Sequence, residues 1–188
     1  MATQLARHLT TEELEAGLDE IRRAPTSEGV VELIVRRPAE NERQVLEEGI
    51  LDLDEGLVGD TWRLRGSKRT PDGSSHPDMQ LNVMSARVVD LVAVGARERW
   101  ALAGDQLYVD LDLSEANLPP GTRLALGSAV IEVTDQPHTG CAKFSARFGA
   151  AAHTFVNTKA HRHLRLRGLN AKVVEPGTVR AGDAIRKL

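Results

Sequence analysis

The 188-residue sequence contains one cysteine, Cys141, within DQPHTGCAKF (Asp135 to Phe144). A thiolate is both a strong nucleophile and a soft metal ligand, so the residues around this sulfur decide what it can do. Most free cysteines are buried and inert. Cys141, however, follows a turn-like run, Gln136 to Gly140, which is a poor place for core filler. It also precedes what reads as a helix start, with His138, Lys143 and Arg147 close in sequence. The positive end of a helix dipole and neighbouring cations draw a thiol toward thiolate. On these grounds alone, filler and reagent both stay open.

Two basic clusters accompany the thiol. Arg63, Arg65, Lys68 and Arg69 lie in one segment, and Lys159, Arg162, Arg165 and Arg167 in another. Either is a solvated surface or a pocket for an anionic, phosphate-bearing ligand, because guanidinium forks match phosphate oxygens. No Walker loop or GxGxxG step is present, so a nucleotide site is not expected. His161 and His163 face one side only in an extended segment, and His138 with Cys141 makes a single mixed pair. Zinc sites ordinarily show two spaced pairs, so hydrogen-bonded or solvated histidines are the simpler reading.

These residues need elements to position them. TTEELEAGLDEIRRAP predicts an amphipathic helix, with a capping box from Thr10 and Glu13, an apolar face of Leu14, Leu18 and Ile21, and a stop at Pro25. GVVELIVRRP reads as a first strand, and RQVLEEGILDLDEGLVGD as a second strand, a turn and an approach loop closing at Gly59-Asp60. TWRLRGSKRTPDGSSHPD is a long polar loop of the kind that is usually functional or mobile. MQLNVMS reads as a buried strand, and SARVVDLVAVGARERW as a helix capped by Ser85. GDQLYVDLDLSEANLPPGTRLALGSAVIEVTDQP follows as tightly turned strands. One or two short helices come after Cys141, and NAKVVEPGTVRAGDAIRKL closes with two strand-like runs. The sum is a β-rich α+β domain at residues 29–188, built on a Greek-key or barrel-like sheet with small helices at its ends, with residues 1–28 as a helical appendage.

Composition narrows the function. A net charge of -3 gives no reason to expect nucleic-acid binding. No apolar run approaches the roughly 18 residues of a membrane span, and the amino terminus lacks a secretory apolar segment. A single cysteine forms no internal disulfide, which suits a reducing, cytoplasmic setting.

The order GDQL (Gly104 to Leu107), LPPGTRLALGSAVIEVTDQP, Cys141 with AKFSARFG, and RGLNAKVVEPGTVRAGDAI resembles the MOSC domain family, named for the C-terminal domain of molybdenum cofactor sulfurase. The resemblance covers about Gly29 to Leu188 and is most specific from Gly104 to Ile185. GDQL stands where the family often has Gly-Glu-Asn-Leu, and Val179 to Asp183 looks like its closing turn. The resemblance implies a β-barrel-like fold and a molybdenum-pterin cofactor. It also implies that Cys141 is either a persulfide carrier or the molybdenum ligand, with Asp105 and Lys143 at motif positions in the pocket. His138 and Arg147 would join them, and the loop residues Arg63, Arg65 and Lys68 would hold the cofactor's phosphate. Sulfur transfer and reduction of N-hydroxylated compounds are both compatible with this, with a sulfur- or electron-donor protein as partner. Pyridoxal phosphate, which belongs to another domain of full-length sulfurases, is expected to have no place in these 188 residues. The rival from a different class is a non-catalytic module that binds an anionic metabolite, with Cys141 packing the pocket floor.

Overall fold

The computed structural model describes residues 7–188; residues 1–6 of the expected appendage lie outside the described residues. In chain order the elements begin with α1 (Thr11–Ala16), α2 (Leu18–Arg22), β1 (Glu28–Arg36), β2 (Gln44–Leu46), β3 (Glu48–Asp52) and β4 (Gly56–Leu57). Next come β5 (Leu81–Ser85), α3 (Ala86–Val92), β6 (Leu107–Asp110), β7 (Arg123–Leu126) and β8 (Ala129–Val133). The chain finishes with α4 (Ala142–Phe148), α5 (Ala150–Asn157), β9 (Leu169–Glu175), β10 (Gly177–Arg180) and β11 (Ala184–Lys187). No helix among them is long and apolar enough to cross a membrane.

Seven strands close into a barrel in the order β1, β6, β5, β9, β8, β7, β11, with β11 returning to pair with β1. Every neighbouring pair in the ring is antiparallel except β5 and β6. The nine-residue β1 makes closure possible by dividing one edge between two partners. Its first residues pair with β11 and its last with β2, while β6 lies along the other edge across a bulge between Val31 and Leu33. A bulge bends a strand and increases its twist, which a closed ring requires. A second sheet, β10-β3-β4, joins the body as a three-stranded antiparallel unit.

Period-two alternation sends neighbouring residues of one strand into two different cores. In β6, Leu107 and Val109 belong to one apolar cluster with Val31, Leu81 and Ile131, while Tyr108 joins another with Met84, Phe144 and Phe148. The second cluster is roofed by the helices. Leu14, Leu18 and Ile21 are buried in it, so the N-terminal helical segment packs into the same apolar body as the helices that follow Cys141.

Two sequence expectations change in detail. The capping box of Thr10 and Glu13 forms, but the first helix breaks at Gly17 into α1 and α2, where Leu91 lies so close that a Cβ would collide with it. The helix expected from Ser85 through Trp100 stops at Val92. Val94 takes a left-handed φ of 58°, with Gly95 N–H bonding Asp90 O and Val94 N–H bonding Leu91 O, the pattern of a Schellman stop. The chain resumes as a 3-10 turn at Arg97–Ala103, and Ser85 makes no side-chain capping bond. His161 and His163 lie in another 3-10 turn, Lys159–Leu164, where His161 Nε2 pairs with Glu15 at 2.9 Å.

Leu14 is fully buried between these layers. Leu14→Ala is therefore expected to lower unfolding stability by about 2–5 kcal/mol, read as a shift of a single urea transition. A loss below about 0.5 kcal/mol would mean that the helix is only loosely attached.

Candidate functional site

Two buried arginine-carboxylate pairs organise the region around Cys141. Arg37 lies just beyond β1 and grips Asp60 with both ends of its fork: Nε to Oδ2 and Nη2 to Oδ1, each 2.8 Å. Its remaining nitrogen, Nη1, donates to Asn82 Oδ1 at 3.1 Å and to Gly104 O at 2.9 Å. Asp60 also accepts the backbone N–H groups of Arg37 and Trp62, both at 2.9 Å, which starts the 3-10 turn Thr61–Leu64.

The second pair is Arg167 with Asp105, whose side chain has no solvent exposure. Arg167 Nη1 donates to both carboxylate oxygens at 2.9 and 2.7 Å, and Nη2 donates to Ala103 O at 3.0 Å. The guanidinium lies 5.1 Å from the Phe144 ring centre, within reach of a cation-π contact. Burial pushes the Asp105 carboxyl up, but the charges of Arg167 and His138 outweigh it and bring it down to about 2. Tyr108, whose hydroxyl accepts the Asp105 N–H at 3.2 Å, is pushed up by burial and by that carboxylate.

GDQL therefore has a physical reading residue by residue. Gly104 has φ 95°, a conformation that disfavours side chains, and places its carbonyl on Arg37. Asp105 holds Arg167 and His138, Gln106 accepts the Asn82 N–H at 2.8 Å, and Leu107 enters the barrel core.

His138 Nε2 is 2.7 Å from Asp105 Oδ1. Burial and then the Arg167 charge push the imidazole below its usual value, while Asp105 opposes them. The ring is thus neutral near pH 7 with its proton on Nε2, donated to the carboxylate, which leaves Nδ1 as an acceptor. Two residues on, Gly140 is clamped by α5: its N–H donates to Asn157 Oδ1 at 2.8 Å, and its carbonyl lies 3.0 Å from His153 Nε2. Cys141 then takes the N-cap position of α4 without a side-chain capping bond, and it is exposed rather than packed as filler.

A cleft of about 450 Å³ opens beside this thiol, lined by Arg37, Arg43, Arg65, His138, Cys141, Lys143, Arg147 and Arg167, with Asn82 and Gly104. Arg37 and Arg167 are matched by buried carboxylates, and Lys143 Nζ meets Glu40 at 2.8 Å. Arg43 and Arg147 have no carboxylate partner among the described residues, and Arg65 only approaches Asp60 at 3.9 Å. Arg43 Nε is buried without a hydrogen bond. Burial and the like charges of Arg147 and Arg37 push Arg43 down, and burial with Arg37 does the same to Arg65. Like-charged guanidinium groups are thus gathered along one side of the cleft, where each lowers the proton affinity of its neighbours.

Of the residues expected from sequence, Cys141, His138, Lys143, Arg147 and Arg65 line this cleft, and Asp105 lies beneath it, acting through Arg167 and His138. Arg63 and Lys68 are exposed and lie outside its lining. Arg37, Arg43, Asp60, Asn82 and Gln106 were not expected. Gln106 stands inside the GDQL motif but was given no role there; no local pattern marks the other four, because each acquires its partner through pairing distant in sequence. Among the described residues no three His, Cys, Asp or Glu side chains gather to hold a metal ion. Cys141 is the one sulfur donor in the lining of the cleft.

Fold and site together define a closed β-barrel domain with a cation-lined cleft and one exposed thiol at its edge. The chain belongs to the MOSC domain family, whose model matches residues 70–186. Its structure is similar to that of the YuaD protein from Bacillus subtilis, with a TM-score of 0.63 at 16% identity, covering 84% of this chain and 94% of that one. It is also similar to YiiM from Escherichia coli, with a TM-score of 0.53 at 21% identity, covering 85% and 69%. No curated protein sequence matches it.

The buried network sets a pH dependence. The unfolded histidine takes up a proton below about pH 6.5 and His138 in the folded protein resists it, so stability falls as the pH drops below that value. Asp105 adds a second loss: its contribution is complete above about pH 4 and disappears as the pH falls toward about 2. His138→Gln is expected to flatten the upper part of this decline in urea midpoints measured from pH 7.5 to 5. Asp105→Asn, which strands Arg167, is expected to cost about 3–5 kcal/mol at pH 7.

Proposed function

We propose that this protein binds a molybdenum-pterin cofactor in the cleft between Arg43, Arg65 and Arg147, with Cys141 as the protein's sulfur ligand to the metal. One observation carries the reading: three guanidinium groups without a close carboxylate partner among the described residues surround the mouth in which the single thiol of the chain is exposed. The phosphate of such a cofactor is the anion that these groups lack, and two-pronged guanidinium donation suits its oxygens. When bound, the cofactor supplies a redox-active metal centre able to exchange two electrons and an oxygen or sulfur atom.

The chain's own residues do the rest. Arg43 and Arg147 hold the anion, and the Gly140 clamp fixes the thiol at the edge of the cleft. His138 keeps its Nε2 proton on Asp105 and offers Nδ1 to a proton arriving at the reacting group. This supports a reductive or sulfur-handling enzyme over a passive module, because a module needs neither an exposed thiol nor an oriented neutral imidazole. Partner proteins that deliver electrons or sulfur belong to the same proposal.

Protein produced with molybdate in the medium is expected to retain molybdenum and pterin near one per chain, measured by elemental analysis and by fluorescence of the oxidised pterin. Cys141→Ser should lose most of the metal and keep most of the pterin, whereas Arg43→Gln should lose at least tenfold of both. Wild-type protein that retains neither, or a Cys141→Ser variant with undiminished molybdenum, would overturn the proposal.

A further inference from the structure

The sequence holds six aromatic side chains, and five of them, Trp100, Tyr108, Phe144, Phe148 and Phe155, are buried. The sixth, Trp62, is half-buried and lines a groove of about 300 Å³ together with Arg65, His76, Met79, Asn82 and His138. Arg65, Asn82 and His138 also line the cation-rich cleft, so groove and cleft share a wall. Trp62 is tied to the same machinery, because its backbone N–H bonds the Asp60 carboxylate that Arg37 locks in place.

The chemistry of this groove is specific. The indole gives a flat apolar face, and the Met79 thioether a second soft surface. Hydrogen-bond donors surround them. His76 Nδ1 accepts the Asp78 N–H at 3.2 Å, which puts the ring proton on Nε2 and leaves that N–H free to donate. The Arg65 guanidinium makes no hydrogen bond among the described residues and approaches Asp60 only at 3.9 Å.

We infer that the Trp62 groove is a ring subsite. It takes a planar heteroaromatic ring that stacks on Trp62 and turns an acceptor-bearing edge toward His76 and Arg65, while the anionic part of the same or a companion ligand lies among Arg43 and Arg147. The inference deepens the proposed function and rests on its placement of the anion. The ring has two possible sources, the cofactor itself or a substrate, and both present the same chemistry.

The test uses the full chain and two separate probes, free pterin and inorganic phosphate, each titrated by calorimetry. Trp62→Ala is expected to weaken pterin binding about tenfold, with Trp62→Phe restoring it to within about threefold of wild type. Phosphate binding should be unchanged in both variants and should weaken in Arg43→Gln. Circular dichroism and the urea midpoint verify that the variants fold. Equal pterin affinity in wild type and Trp62→Ala, or no pterin binding to wild type, overturns the ring subsite. Loss of phosphate binding by wild type with the pterin result intact overturns the placement of the anion instead. The molybdenum-pterin content of purified Trp62→Ala then identifies the source, and either result supports the subsite: a fall marks the cofactor's ring, and unchanged content marks a substrate's.

Discussion

A fully buried carboxylate survives in a protein only if its charge is answered, and Asp105 is answered from two directions. Arg167 reaches it from the segment before β9, and His138 from the turn after β8. Asp105 itself stands just before β6, so one side chain fastens together three stretches of chain that are remote in sequence. Arg167 also lies over Phe144 of α4, and His138 begins the turn that ends in Cys141. The place of the thiol is thus inherited from an ion pair that never touches it. Arg37 and Asp60 repeat the device, with Asn82 and Gly104 joined to the same network.

This arrangement separates two kinds of cation. Those with buried carboxylate partners are structural, and their charge is spent inside the protein. Those without, Arg43 and Arg147, project into the cleft and carry the unsatisfied field. Desolvation makes that field stronger than it would be on an open surface, because less water screens it. The barrel supplies the rigidity needed to hold like charges at close quarters, and the helical layer supplies the roof from which Cys141 is presented.

The sequence showed the elements better than their meeting. Capping at Thr10 and Glu13, the strand at Leu81–Ser85 and the helix start after Cys141 are local patterns, and all three form. The family resemblance, carried by GDQL and the run through Cys141, implied the barrel and Asp105, while His138 was picked out by its closeness to Cys141 in sequence. The Val94 stop was missed because a β-branched residue is a poor candidate for a left-handed cap. Arg37 and Arg43 were missed for a different reason. An arginine on a strand end looks the same whether it faces water or a buried aspartate, and only long-range pairing decides. Arg63 and Lys68 show the converse: a dense basic run in a loop draws attention, yet of its basic residues only Arg65 lines the cleft.

Closure of the barrel by β11 has a consequence in time as well as in space. Gly29 pairs with Ile185, so the ring is joined by residues from nearly opposite ends of the sequence. Contacts of such separation form late, because a long loop must close before they give any return. Until β11 arrives, β1 and β7 present open strand edges with apolar faces behind them, and another chain could occupy either edge. The closing strand is therefore also the guard of the unfinished molecule: its docking ends the interval in which the protein can be captured by a copy of itself.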